Sequence, residues 1–129
     1  MAESSWKEFW DRGVSYLRLS ERGLNRPDKF NAEALYNIAS MAIEGLFMGR
    51  FVAAGGLPRN HTLADLVEFE QEQAPMPAEL SEALLRMDGF QSLCSLDAYK
   101  RIELGREELE SVVRVARETH DYLAPFVNA

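Results

Sequence analysis

The sequence predicts an all-α fold: a compact up-and-down bundle of about five helices around one long central helix. Three observations carry this reading. Apolar residues recur at three- and four-residue steps through most of the 129 residues. The stretch from Phe30 to Ala54 is apolar on nearly all sides, which a helix sustains only when it is covered all round. Proline and glycine stand between the hydrophobic runs and punctuate them. A hydrophobic content of 47% against 27% charged residues is a globular balance. The length suits one domain, residues 1–129, with a core large enough to need no staples.

The first helix is expected to start at Ser4 or Ser5, either of which can cap it, and to reach about Leu24. Trp6, Phe9, Trp10, Val14, Leu17 and Leu24 give it one apolar stripe. Asn25 and Pro27 end it, and Pro27 suits the opening turn of the next helix. That second helix, Phe30 to Ala54, carries a stripe of small residues, Ala42, Gly45, Gly49 and Ala53, where another backbone can come close. Interior glycines cost about 1 kcal/mol each relative to alanine, so close packing is the expected compensation. Gly55, Gly56 and Pro58 stop the helix.

A short third helix follows from about Thr62, with Leu63, Leu66 and Val67 inward. Pro75 and Pro77 separate it from a fourth, lined by Leu80, Leu84 and Met87. From Phe90 to Gly105 the period is lost, and a loop is expected, with at most a short helix near Asp97 to Arg101. The last helix runs from Arg106 to about Phe126 along the seam Leu109, Val113, Ala116, His120, Leu123 and Val127.

A net charge of −7 argues against a protein that coats a phosphate backbone, which needs a basic face. The single cysteine, Cys94, excludes an intrachain disulfide; flanked by Leu93 and Leu96, it reads as a core thiol in a reducing, cytoplasmic setting. Met1 to Trp10 lacks the apolar run of a secretory signal. The stretch Ala34 to Leu57 approaches membrane-spanning length, but Asn37, Glu44 and Arg50 interrupt it, so no membrane is expected. There are only two histidines, no zinc pattern and no phosphate-binding glycine loop, so neither a metal nor a cofactor is expected.

Three groups are candidates for chemistry. Glu44 is a carboxylate in the middle of the most apolar helix, sharing a face with Asn37 and Ser40. Buried there, it must be paired, hydrogen-bonded or neutral, and a structural network closed by Arg50, by the final helix or by the Tyr99 and Arg101 segment is the simpler account. Arg59, Asn60 and His61 precede the third helix, which Asn60 or Thr62 can cap. Either this is a capping loop, or Arg59 and His61 join the free N–H groups of the helix start in holding a phosphate or a partner's carboxylate. In the final helix, His120 falls on the apolar seam and reads as a core histidine. Arg114 lies about 120° from it around a straight helix, and Arg117 about 60°.

The run Ala34-Leu-Tyr-Asn-Ile-Ala-Ser-Met-Ala-Ile-Glu44-Gly-Leu, the Gly-Gly-Leu-Pro break and then His61-Thr-Leu-Ala-Asp-Leu-Val67 resemble the HEPN family (higher eukaryotes and prokaryotes nucleotide-binding). The final helix, from Glu107 to Arg117, is similar to that family's closing helix, and the resemblance covers about Gly13 to Val127. It implies a helical bundle, often a homodimer, that is either a metal-independent ribonuclease or a non-catalytic binding module. It also implies a small nucleotidyltransferase as partner, in a toxin–antitoxin or defence setting, and a nucleotide or RNA as ligand. The family's ribonucleases carry an Arg followed four to six residues later by His; Arg114 and His120 fit that count, with Tyr122 two residues on. Arg59 and His61 stand too close to fit, and the Asn that commonly follows the motif Arg is missing after Arg114. The sequence therefore favours the binding module, with Arg59, Asn60, His61, Glu44 and Asn37 as its site residues. A homodimer would use surplus aromatics of the first and last helices, Trp6, Trp10, Tyr16 and Phe126.

Overall fold

The computed structural model describes residues 2–56, 62–96 and 105–127, with side chains from 6 onward and, in the fourth helix, as far as 89. Among these residues five helices follow one another: α1 Ala2–Gly23, α2 Ala32–Ala54, α3 Leu63–Gln73, α4 Ala78–Leu96 and α5 Arg106–Val127. No strand occurs among the described residues, so the chain is an all-α bundle.

The pair α1 and α2 is built on glycine. A Cβ at Gly13 would stand 2.7 Å from the Leu46 backbone nitrogen, one at Gly45 3.0 Å from the Gly13 Cα, and one at Gly49 3.0 Å from the Trp10 nitrogen. As numbers rise along α2 the partners on α1 fall, so the two helices run antiparallel with touching backbones. Gly45 and Gly49 are the small stripe the sequence shows; Gly13 is the matching notch on α1, and Ala53 lies outside the contact, exposed. Contacts between Leu24 and Arg106, Glu21 and Arg117, and Trp10 and His120 set α5 antiparallel to α1. The core is α2's Leu35, Ile43, Leu46, Phe47 and Phe51, against Leu17 of α1, Leu66 of α3, Leu84 of α4 and Leu123 of α5.

Several boundaries differ from expectation for local reasons. Helix α2 starts at Ala32, not Phe30, because the Asn31 side chain accepts a 2.8 Å hydrogen bond from the Ala34 N–H, and residues 24–30, with Pro27, close into turns. It ends where Gly55 takes φ 88°, a left-handed conformation that favours glycine, and its N–H and that of Gly56 return to the Phe51 and Val52 carbonyls. Thr62, rather than Asn60, caps α3: its hydroxyl accepts from the Asp65 N–H at 3.1 Å. Helix α4 continues through Phe90 to Leu96, where a loop was expected. The sequence there loses its amphipathic period but contains no helix breaker stronger than Gly89. The segment Asp97 to Arg101, with Tyr99, lies outside the described residues, as does the side chain of Cys94.

Covering of α2 is not complete. Asn37 and Met41 are exposed, and Glu44 on the same face is half-buried. The α5 seam also shifts: Val112, Val115 and Thr119 are buried with Val113, Ala116 and Leu123, whereas Leu109, His120 and Val127 are half-buried. Thr119 enters the core because its hydroxyl donates to the Val115 carbonyl at 2.8 Å; Ser20 does the same toward Leu17 at 2.7 Å. Among the described residues, no helix is long and apolar enough to cross a membrane.

Candidate functional site

The polar group at the centre of the molecule is not Glu44 but Glu70. Helix α3 turns Leu63, Leu66, Val67 and Glu70 to the same face, and Glu70 is 0% exposed. Arg50, from the last turn and a half of α2, brings its Nε to 3.3 Å from Glu70 Oε1. Neither of those two atoms makes a well-directed hydrogen bond, so the attraction is Coulombic. Tyr122 of α5 donates its hydroxyl to Glu70 Oε2 at 2.9 Å and to the Pro75 carbonyl at 3.2 Å. The guanidinium carbon of Arg50 lies 4.3 Å from the ring centre of Phe126, which itself stacks edge-on with Tyr122 at 5.5 Å. One cluster thus joins α2, α3, the α3–α4 turn and α5.

Burial raises the Glu70 carboxyl above its ordinary 4.5, against the Tyr122 hydrogen bond and the Arg50 charge, which pull it down. Burial, and then the hydrogen bond to Glu70, push the Tyr122 phenol upward as well, so it stays protonated. The sign for Glu70 follows from linkage. Over the interval between 4.5 and its raised folded value, the folded chain holds more proton than the unfolded one. The contribution of Glu70 to stability is therefore full below the unfolded value and lost as pH rises through the folded value. Urea unfolding of the wild type and Glu70→Gln across this range should give a stability difference that shifts in favour of the wild type as pH falls. A difference that is constant with pH would contradict the raised carboxyl.

The residues singled out in the sequence fall in separate places. Asn37 is exposed and Glu44 half-buried on the uncovered face of α2, so Glu44 is not the buried acid that its apolar neighbours suggest. The physical reason is that α1 approaches α2 on the glycine face, away from this one. Arg59, Asn60 and His61 lie outside the described residues. Arg114 is exposed and pairs with Glu118 at 3.8 Å. Arg117 holds Glu21 of α1 with two hydrogen bonds, at 2.9 and 2.6 Å. His120 packs its ring against Trp10, centre to centre 5.4 Å, with Nδ1 at 3.0 Å from Asp121 Oδ1. Tyr122 is held within the Glu70 cluster instead of standing beside His120. Trp10 is buried and Trp6 and Tyr16 half-buried, which leaves Phe126 as the exposed member of the expected aromatic surplus.

Among the described residues, no three histidine, cysteine or acidic side chains gather as metal ligands. No protein-family model matches the chain, and no curated protein matches it in sequence. A solved structure does match. TT1696 of Thermus thermophilus superimposes with a TM-score of 0.77 over 94% of this chain and 97% of its own, at 20% identity. The two proteins share a fold. At that identity the likeness speaks for the all-α bundle and its helix order alone.

Glu70 had one signal in the sequence. It sits between Glu68 and Glu72 in an acidic run, and only its place seven residues after Leu63 and three after Val67 sets it on the apolar face.

Proposed function

We propose that this chain is a non-catalytic, HEPN-like binding module that acts through a partner or a nucleotide in the cytoplasm rather than by cutting RNA. What carries the reading is how the ribonuclease candidates are occupied. Arg114 pairs with Glu118 on the exposed face, His120 packs on Trp10, and the Tyr122 hydroxyl is held by Glu70 and Pro75. A metal-independent ribonuclease needs a histidine free to take the 2′-hydroxyl proton and a cation beside the phosphoryl charge. Arg114 and His120 sit about 120° apart on α5, which opposes that pairing.

The module would take its ligand through Arg59, Asn60 and His61, ahead of α3 in the sequence, with Arg59 supplying the charge; Asn37 and Glu44, on the uncovered face of α2, are separate polar candidates. A homodimer and a small nucleotidyltransferase partner belong to the same reading and rest on the family resemblance. For the dimer, Phe126 is the one exposed aromatic among the described residues that supports it.

The test combines cleavage and binding. Purified protein should leave single-stranded RNA intact, and His120→Ala should change stability without changing that result. Calorimetry with ATP should show binding that weakens in Arg59→Ala and falls with rising salt, since an exposed helix start alone contributes only about 0.3–1 kcal/mol. RNA cleavage lost in both Arg114→Ala and His120→Ala, with the fold retained, would overturn the proposal in favour of the ribonuclease.

A further inference from the structure

The Tyr122 hydroxyl has one hydrogen and two acceptors, Glu70 Oε2 at 2.9 Å and the Pro75 carbonyl at 3.2 Å. The first acceptor is titratable and fully buried, and the second belongs to the turn between α3 and α4. We propose that Tyr122 is a proton-driven switch, which ties the α3–α4 turn to α5 when Glu70 is protonated and releases it when Glu70 is ionised.

The hydrogens balance in both states. With Glu70 ionised, the phenol hydrogen goes to the carboxylate, because a charged acceptor forms roughly twice as strong a bond as a neutral carbonyl. With Glu70 neutral, the carboxyl has a hydrogen of its own to donate, and the phenol oxygen is the acceptor beside it. The phenol hydrogen then turns to Pro75. Apart from the proton that Glu70 takes up, no atom moves beyond rotation of one hydroxyl, and the phenol and carboxyl hydrogens each find an oxygen.

The surroundings leave Glu70 to control the switch. Arg50 faces it from α2 and Tyr122 from α5. The acids flanking the site on α3 and α4, Glu68, Glu72, Glu79 and Glu82, are all exposed and point to solvent. Among the described residues, Arg50 is the only cation within ion-pairing distance of Glu70. Burial holds the carboxyl above its ordinary range, which moves its proton uptake away from that of the exposed acids. The Arg50 guanidinium also lies over the Phe126 ring, 4.3 Å from its centre.

Nuclear magnetic resonance reads the switch directly, because the Met76 amide nitrogen is bonded to the Pro75 carbonyl carbon and feels what that oxygen accepts. In the wild type, the Met76 amide should shift with pH at the same midpoint as the Glu70 side-chain carboxyl carbon. In Tyr122→Phe, Glu70 should still titrate while Met76 no longer follows it. In Glu70→Gln, which stays uncharged, Met76 should hold its low-pH position at every pH. A Met76 amide that ignores the Glu70 titration in the wild type, or that follows it undiminished in Tyr122→Phe, would overturn the switch.

Discussion

Gly45→Leu should destabilise the protein by about 3 kcal/mol, seen as a lower urea midpoint with an unchanged slope. The atoms that a Cβ at Gly45 would meet are the Gly13 Cα and nitrogen at 3.0 Å and the Phe9 carbonyl oxygen at 3.1 Å. All three are backbone, so no side chain can swing aside, and α1 itself must move away from α2. That displacement would separate the largest helix interface of the bundle and open space around Leu17 and Leu46, both fully buried. Replacing glycine in a helix interior returns about 1 kcal/mol of propensity, too little to offset the loss. Gly49→Leu should cost about 2 kcal/mol or more by the same route, because its neighbours include the Trp10 side chain as well as backbone. A neutral result at both positions would mean that the helices do not touch here.

This contact also shows how far the sequence carries. Glycines four residues apart inside an apolar helix have one economical explanation, a close neighbour, and Gly45 and Gly49 gave the packing face of α2 directly. Their counterpart Gly13 stands alone in α1, where a single glycine resembles any other. Periodicity placed α3 and α5 and the inward residues of α4 because amphipathic helices record their burial every three or four residues. It failed over Phe90 to Leu96, where the apolar residues lose their period although no proline interrupts α4. The central site was harder for a different reason. Charge type does not say which of three acids, Glu68, Glu70 or Glu72, is buried, and Glu44 looked more buried than Glu70 because its sequence neighbours are apolar. Burial depends on which face another helix covers, and α1 was free to choose a face of α2 that leaves Asn37, Met41 and Glu44 toward the outside. Arg50 was visible as a cation in an apolar run, yet its partner came from a helix 20 residues later.

Arg50→Ala should cost about 3–5 kcal/mol near neutral pH, because it leaves the Glu70 carboxylate in the core without its cation. The carboxylate would keep only the Tyr122 hydroxyl, at 2.9 Å, and Phe126 would lose the guanidinium over its ring. The loss should not be read as the worth of the ion pair. Pairing two buried charges mostly offsets the cost of taking both from water, so Arg50→Met with Glu70→Leu should recover most of the stability lost in the single variant. Tyr122 would still have Pro75 to donate to in that double variant, so its hydroxyl is not stranded. The two behave differently with pH. Without Arg50, only the Tyr122 hydrogen bond is left to lower the Glu70 carboxyl against burial, and it rises further above 4.5. Protonation then removes the uncompensated charge, so the deficit of Arg50→Ala should shrink as pH falls toward 4.5, while that of the apolar double variant, which has no carboxyl to protonate, should grow as the wild type gains stability from proton uptake at Glu70. Urea midpoints of the three proteins across this range decide the matter. A deficit of Arg50→Ala that is the same at acid and neutral pH would place its cost in lost packing over Phe126 rather than in the stranded carboxylate.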